Sequence, residues 1–331
     1  MDYSGFPFYP SPDPSSSGTT SPQDSVNAMR GQGDGSDLSQ TAIPASPLLD
    51  PPDDATVSIT FGPSLRDDDR LPDSIIVSSN HVYFYIHRHR IITASSNGFD
   101  GLFYDVEHIY GGSLPTILCR EVGDTLNIVL HIIYGMSSLH YFPALQTVDN
   151  AFTAMIKYGI PIEPHAAPHQ QLYQLLLSNA PYHPIDTFAL AASHGLEDIA
   201  VIASGHLLSF DMSRLTDELV TKIGPVYLKR LILLHQDRMT ALRHILLQAP
   251  RTHSPMPGCR DGQQGLLIRE WALATAQLAW DATPSKGISA NSLRLHLENI
   301  GEKIACEGCR RMLVERIHGV CYAWSLVKQT I

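Results

Sequence analysis

Alternation of apolar and polar residues, the mark of a half-buried strand, is confined to a short part of this chain. Val82, Phe84 and Ile86 alternate with His81, Tyr83, Tyr85 and His87, and Ile75 to Val77 before Ser78-Ser79-Asn80 supply the other arm of a hairpin. Thr116 to Cys119 reads as one more short strand. After His165 the period of two vanishes and apolar residues recur every three or four positions. Strands gathered early and helices gathered late do not build an alternating βα sheet. The pattern predicts an α+β class: a small sheet with helices, followed by an all-α helical region.

The helices can be placed by their punctuation. A helical stretch is expected from about Arg90 to Phe103, with Gly111-Gly112 marking a turn. Asp124 is the expected cap of a helix carrying Leu126, Val129, Leu130 and Ile133 on one face and closing at Gly135. Pro143 opens the next, with Leu145, Val148, Phe152 and Met155 on its face, Gly159 at its end and Pro161 beyond. Leu172, Leu175 and Leu176, then Phe188, Ala191 and Ala192 up to Gly195, then Ile199, Ile202 and Leu207 mark three short helices.

Gly224-Pro225 is a stop and restart, after which Tyr227, Leu231, Leu234, Arg238, Leu242 and Ile245 keep helical spacing up to Pro250. A stripe of that kind reads as core rather than as a partner groove. Beyond a loop holding Pro250, Pro255, Pro257 and Gly258, helices are expected at Leu266 to Trp280, Ser292 to Ile300 and Cys309 to about Lys328. No sequence repeat keeps a fixed period, which argues against a regular solenoid.

Composition matters most in the first seventy residues. They hold eleven aspartates, three arginines and no glutamate or lysine, a charge of −8 out of the −10 of the whole chain. Ser, Pro and Gly runs such as Ser15-Ser16-Ser17-Gly18 interrupt the few aliphatics, and such a segment cannot offset its ordering entropy by burial. Residues 1–70 are therefore expected to be a disordered acidic tail. Three folded regions are expected behind it: 71–163, 164–250 and 251–331.

The remaining chain sums to only −2 and carries no block of lysine and arginine, so direct nucleic-acid binding is not expected. No apolar run is long enough to span a bilayer, and Met1 to Pro10 lacks the basic and apolar regions of a leader. Residence in the cytoplasm or nucleus follows as an expectation.

Pro72-Asp73-Ser74-Ile75-Ile76-Val77, Val82-Tyr83-Phe84-Tyr85-Ile86-His87-Arg88, and then Ser95, Phe99, Leu102 and Phe103 resemble the BTB/POZ signature. That signature is an Asp-hydrophobic strand, a strand ending in His-Lys, and an S-x-x-F helix. His87-Arg88-His89-Arg90 and Ser95-Ser96-Asn97-Gly98-Phe99 look most like BTB proteins of basidiomycete fungi, and the similarity runs on through Ala189 to His194, Tyr227 to Leu231 and Trp271 to Leu273. The chain departs from the signature at Arg88, in place of lysine, and at Ser96-Asn97-Gly98, which adds a residue to the helix.

The resemblance implies a non-enzymatic protein-protein interaction protein that homodimerises or serves as an adaptor or scaffold. The alternatives it raises are a substrate adaptor of cullin-type ubiquitin ligases and a transcription-associated regulator. No small-molecule substrate is expected.

Chemistry-bearing patterns are few. Cys306-Glu307-Gly308-Cys309 is a C-x-x-C at the start of a helix, and His253 and Cys259 lie in the Pro/Gly loop upstream. Four nitrogen and sulfur ligands from two short clusters are the pattern of a closed structural zinc site. Cys321 is a substitute ligand on paper, but twelve residues of helix place it about 18 Å beyond Cys309. The competing reading makes these cysteines small buried hydrophobes with one surface pair.

A thioredoxin-type role lacks its βαβ setting, and Gly-x-Ser-x-Gly, Walker and His-Glu-x-x-His motifs are missing, so a hydrolase or redox enzyme in a helical pocket stands only as the rival class. His87 and His89, two apart at a strand end, lack an evident third ligand.

Overall fold

The computed structural model of the protein describes residues 56–104, 114–259 and 261–331. Among them are a four-stranded sheet and ten helices, with every strand before residue 119 and only helices and turns after it. Strands β1 (Thr56–Val57), β2 (Ser74–Val77), β3 (Val82–Ile86) and β4 (Thr116–Leu118) lie in the order β1-β3-β2-β4. β2 and β3 form the antiparallel hairpin, in register Ile76 opposite Phe84, while β4 runs parallel to β2 and β1 parallel to β3. Ser78 fixes the turn, because its Oγ accepts the Val82 N–H at 2.8 Å.

Order begins earlier than Leu71. Beyond β1 the chain continues beside β3, with the Tyr85 N–H donating to Phe61 O at 2.8 Å, and the Phe61 ring is fully buried, edge-on to His131 and Tyr134. Asp67 is held by a two-pronged contact from Arg90, Nε to Oδ2 at 2.7 Å and Nη2 to Oδ1 at 2.5 Å. The acidic composition of this stretch concealed one aromatic anchor and one ion pair. The rest of the expected tail, residues 1–55, lies outside the described residues, as does the Gly111-Gly112 turn.

The helix expected over 90–103 is replaced by α1 (Arg88–Ala94) and a run of turns. Gly98, Phe99, Asp100 and Gly101 all take positive φ, between 58 and 75°, and the Gly101 N–H returns to Asn97 O at 3.1 Å. One left-handed turn thus stands where a right-handed helix was expected. Non-glycine residues enter that conformation at a cost of about 1–2 kcal/mol each.

What compensates is the end of α3 (Leu145–Lys157), whose last carbonyls have no partner within the helix. Ser95 Oγ donates to Tyr158 O at 2.6 Å, Asn97 Nδ2 to Lys157 O at 2.9 Å and Ser96 Oγ to Gly159 O at 3.0 Å. The Phe99 ring stacks on Tyr158 at 3.9 Å. Gly159 is required by both its φ of +66° and space: a Cβ there would lie 2.7 Å from Asn97.

Asp124 does not cap α2 (Gly123–Ile133); Val122 holds the cap position and Asp124 sits in the first turn. Asn80, from the hairpin turn, instead accepts the Gly123 N–H at 2.8 Å. α2 is buried on nearly every side, Thr125, Ile128, His131 and Ile132 included, and lies at the centre of the first core. Side chains at the ends of β2 and β3 and at the start of α1 close this unit. Asp73 accepts the Arg88 N–H at 2.7 Å, His87 is buried against the Tyr134 hydroxyl (3.0 Å) and Arg70 O (3.1 Å), and Arg88 reaches Phe103 O at 2.6 Å.

α4 (Gln171–Asn179), α5 (Pro184–Ser193) and α6 (Glu197–Gly205) extend the first core. α7 (Asp217–Leu247) then passes from the first core to a second, kinked at Gly224, whose φ of 74° breaks the helix where Gly-Pro predicted it. Leu231 and Leu234 are buried, as a core stripe requires. The second core gathers the end of α7 with α8 (Asp261–Asp281), α9 (Ala290–Glu298) and α10 (Glu307–Ser325) around Trp271, Leu297, Leu313 and Trp324. No helix of the described residues is long and apolar enough to cross a membrane.

Candidate metal centre

Two segments converge at one end of the second core. The first is the loop between α7 and α8. Its Met256-Pro257-Gly258-Cys259 stretch is a turn with Pro and Gly at the central positions, a φ of +88° at Gly258 and the Cys259 N–H donating to Met256 O at 3.2 Å. This turn directs Cys259 inward. The second segment is the start of α10, where Cys306 is the N-cap and Cys309 falls in the first turn, so that both sulfurs face the same loop.

His253, Cys259, Cys306 and Cys309 meet with their ligand atoms all within 4.8 Å of one another. The Cys259 and Cys309 sulfurs are 3.9 Å apart, and His253 Nε2 lies 3.5 Å from the Cys306 sulfur and 3.4 Å from that of Cys309. The group can hold a metal ion. Cys321 is not part of it; its thiol points to Ala290 O at 3.4 Å. His87 and His89 do not form a second site, since His89 Nε2 turns to Asp67 at 3.1 Å while His87 is engaged on both ring nitrogens.

The surroundings fix this arrangement. His253 Nδ1 donates to Ser254 O at 2.7 Å, which leaves Nε2 with its lone pair toward the sulfurs, as a ligating imidazole needs. α8 holds both segments. Gln264 Nε2 donates to His253 O at 3.1 Å and Gln263 Oε1 accepts the Ala305 N–H at 3.3 Å.

Gly308 is closely packed: a Cβ there would lie 2.6 Å from Met256 Sδ and 2.9 Å from the His253 ring, so a larger residue has to displace those side chains. The structure brings together the four residues singled out from the sequence, while Gln263, Gln264 and the close packing at Gly308 were missed. The glycine inside the C-x-x-C was the available signal, and the glutamines gave none.

Electrostatics favour a cation here. The N–H groups of Cys309 and Gly308 at the start of α10 draw the Cys306 thiol down to about 7. Burial and the neighbouring sulfurs of Cys259 and Cys306 push Cys309 up to about 12. Three thiolates side by side repel one another unless a positive ion sits between them, and coordination deprotonates a thiol outright.

A separate hollow of about 540 Å³ lies between α7, α8 and α9 with Leu242, Leu278, Ile288 and Leu293 on its floor; its charged residues, Asp281 and Lys286, stand exposed on the rim. None of the four ligands lines it.

Comparison with protein-family models, with curated proteins and with solved structures finds no match to this chain.

Proposed function

We propose that the chain is a non-enzymatic protein-interaction protein in which a BTB/POZ-like α/β unit is extended by a helical region closed at its far end by one structural zinc ion. The observation that carries the zinc reading is the spacing of the ligand atoms. A tetrahedral zinc with sulfur at about 2.3 Å and nitrogen at about 2.0 Å separates two sulfurs by about 3.8 Å and a sulfur from a nitrogen by about 3.5 Å. The Cys259–Cys309 sulfur pair at 3.9 Å and His253 Nε2 at 3.5 and 3.4 Å from the Cys306 and Cys309 sulfurs agree with that figure, and all four ligand atoms lie within 4.8 Å of one another. Four protein ligands complete the coordination and leave no position for substrate, which is the arrangement of structural sites.

The interaction role is supported by what the signature residues do. Asp73, His87, Arg88, Ser95, Phe99 and Phe103 cap, brace and fill the α/β unit, so its action falls to its surface, where Phe142 is 90 % and Leu118 74 % exposed. Dimerisation through this unit, in the cytoplasm or nucleus, is the form of interaction proposed.

Two measurements on the full-length protein test the reading. Cobalt(II) titration is expected to give the absorption of a tetrahedral thiolate site at one equivalent; an octahedral spectrum removes the zinc site. Light scattering at micromolar concentration is expected to give twice the chain mass, and a strict monomer contradicts BTB-type dimerisation.

A further inference from the structure

α10 carries the metal centre at its first turn and leads at its other end into Val327–Ile331, a segment that folds back onto the first core. We propose that metal occupancy governs whether this segment stays docked, so that the ion acts as a clamp on a strap joining the two cores; the inference rests on the zinc reading given above.

The strap is tied at several points. The Ile331 N–H donates to Ser204 Oγ on α6 at 3.0 Å, and the Ile331 side chain is buried in the first core. Thr330 packs against Gly205, where a Cβ would come within 3.5 Å of its methyl group. Arg238, on α7 and only 8 % exposed, donates from Nη1 to Val327 O at 3.3 Å and Lys328 O at 2.8 Å, and its guanidinium lies 4.5 Å from the Trp324 ring. Among the described residues Arg238 has no carboxylate within ion-pairing distance. Strap carbonyls are what compensate a buried cation, so the docked strap and the buried arginine depend on each other.

The link to the metal is α10 itself. Its nineteen residues make a rod of about 28 Å, and its inward face, Leu313, Ile317, Val320 and Trp324, supplies much of the second core. At the N-terminal end of that rod the partner is the loop 251–259, which has neither helix nor strand and is held through His253 and Cys259. Without a cation the thiols and imidazole lose their common centre, the loop keeps its Gln264 bond to α8, and one end of the rod is loosened. The second core has fourteen buried apolar residues against forty-two in the first, so the loss of one tie weighs more on it. Loosening it moves the last turn of α10, whose following carbonyls must meet Arg238.

Hydrogen–deuterium exchange with mass spectrometry, on the full-length protein as purified, after a high-affinity zinc chelator, and after zinc is restored, tests the clamp. Exchange in Val327–Ile331 and around Ser204 is expected to rise about tenfold on chelation and to return with zinc, while β2 and β3 keep their protection. Arg238→Met, which touches no ligand, is expected to raise exchange in the strap while zinc stays bound. If the chelator removes zinc and strap exchange does not change, or if Arg238→Met leaves strap exchange as it was, the clamp is wrong although the zinc site stands. Protein that neither carries nor takes up zinc overturns both.

Discussion

Phe61, Phe84, Phe99, Phe152 and Phe188 lie fully buried in the first core, and forty-two buried apolar residues there come from the sheet, seven helices and the turns between them; the second core has fourteen among the described residues, two of them Cys306 and Cys309 of the candidate metal centre. The first therefore rests on distributed burial, each large side chain adding about 1.5–3 kcal/mol, and no single contact decides it. The second has a third as many and, on the zinc reading proposed above, concentrates its support in one centre and a few large residues. Two ways of stabilising a fold thus sit within one chain, joined by α7, and they differ in how they can fail.

Substitutions that strike each core separately break or sharpen this contrast. The largest effect is expected from Trp271→Ala, which empties the middle of the second core and removes the indole N–H bond to Leu246 O at 3.2 Å, at a cost of about 3–5 kcal/mol. Chemical denaturation should show the second core melting first and the first core unmoved. A single transition shifted as a whole would mean that the cores are one cooperative unit.

Gly308→Ala comes next. Its methyl group collides with Met256 and His253, so zinc content is expected to fall well below one per chain while the far-ultraviolet signal of the α/β unit persists. Full retention of metal would show that the close approach is not needed.

In the first core the loss should be partial and local. Glu121 is raised by burial, but the hydrogen bonds from Lys157 and Tyr158 outweigh this and hold its carboxyl below the usual 4.5. An acid so lowered contributes stability that is complete above its unfolded value and fades as pH falls through the folded one. Glu121→Gln is therefore expected to cost about 1–3 kcal/mol at pH 7, and the difference from the parent protein to shrink below pH 4.5, as thermal melts across pH would record. A difference independent of pH would contradict the ion pair with Lys157.

Ser95→Ala removes the bonds to Tyr158 O and from the Phe99 N–H, for about 1–2 kcal/mol in equilibrium unfolding. The smallest change, about 0.2–1 kcal/mol, is expected from Arg230→Ala, whose pairing with Glu197 lies at the surface.

Much of this was legible in the sequence because it depends on local rules. The β2–β3 hairpin follows from the period of two, the ends of α2 and α3 from Gly135 and Gly159, and the kink in α7 from Gly224-Pro225. The four residues of the candidate centre could be picked out by residue type and clustering, since zinc chemistry restricts the donors to a few kinds.

What escaped depends on partners distant in the chain. Ser95, Ser96 and Asn97 read as helix because nothing nearby reveals that the end of α3, some sixty residues on, needs their side chains. Asp124 looked like a cap until Asn80 took the position from outside. Phe61 lies within acidic, Ser- and Pro-rich sequence whose average composition hides a single buried ring.

We propose that the second core is closed by one zinc ion held by His253, Cys259, Cys306 and Cys309. Elemental analysis of the purified full-length protein tests it most directly, with Cys309→Ser and Cys321→Ser measured beside it. One zinc per chain in the parent and in Cys321→Ser, and none in Cys309→Ser, is the predicted result. A parent protein without metal, or equal metal in both variants, would contradict it.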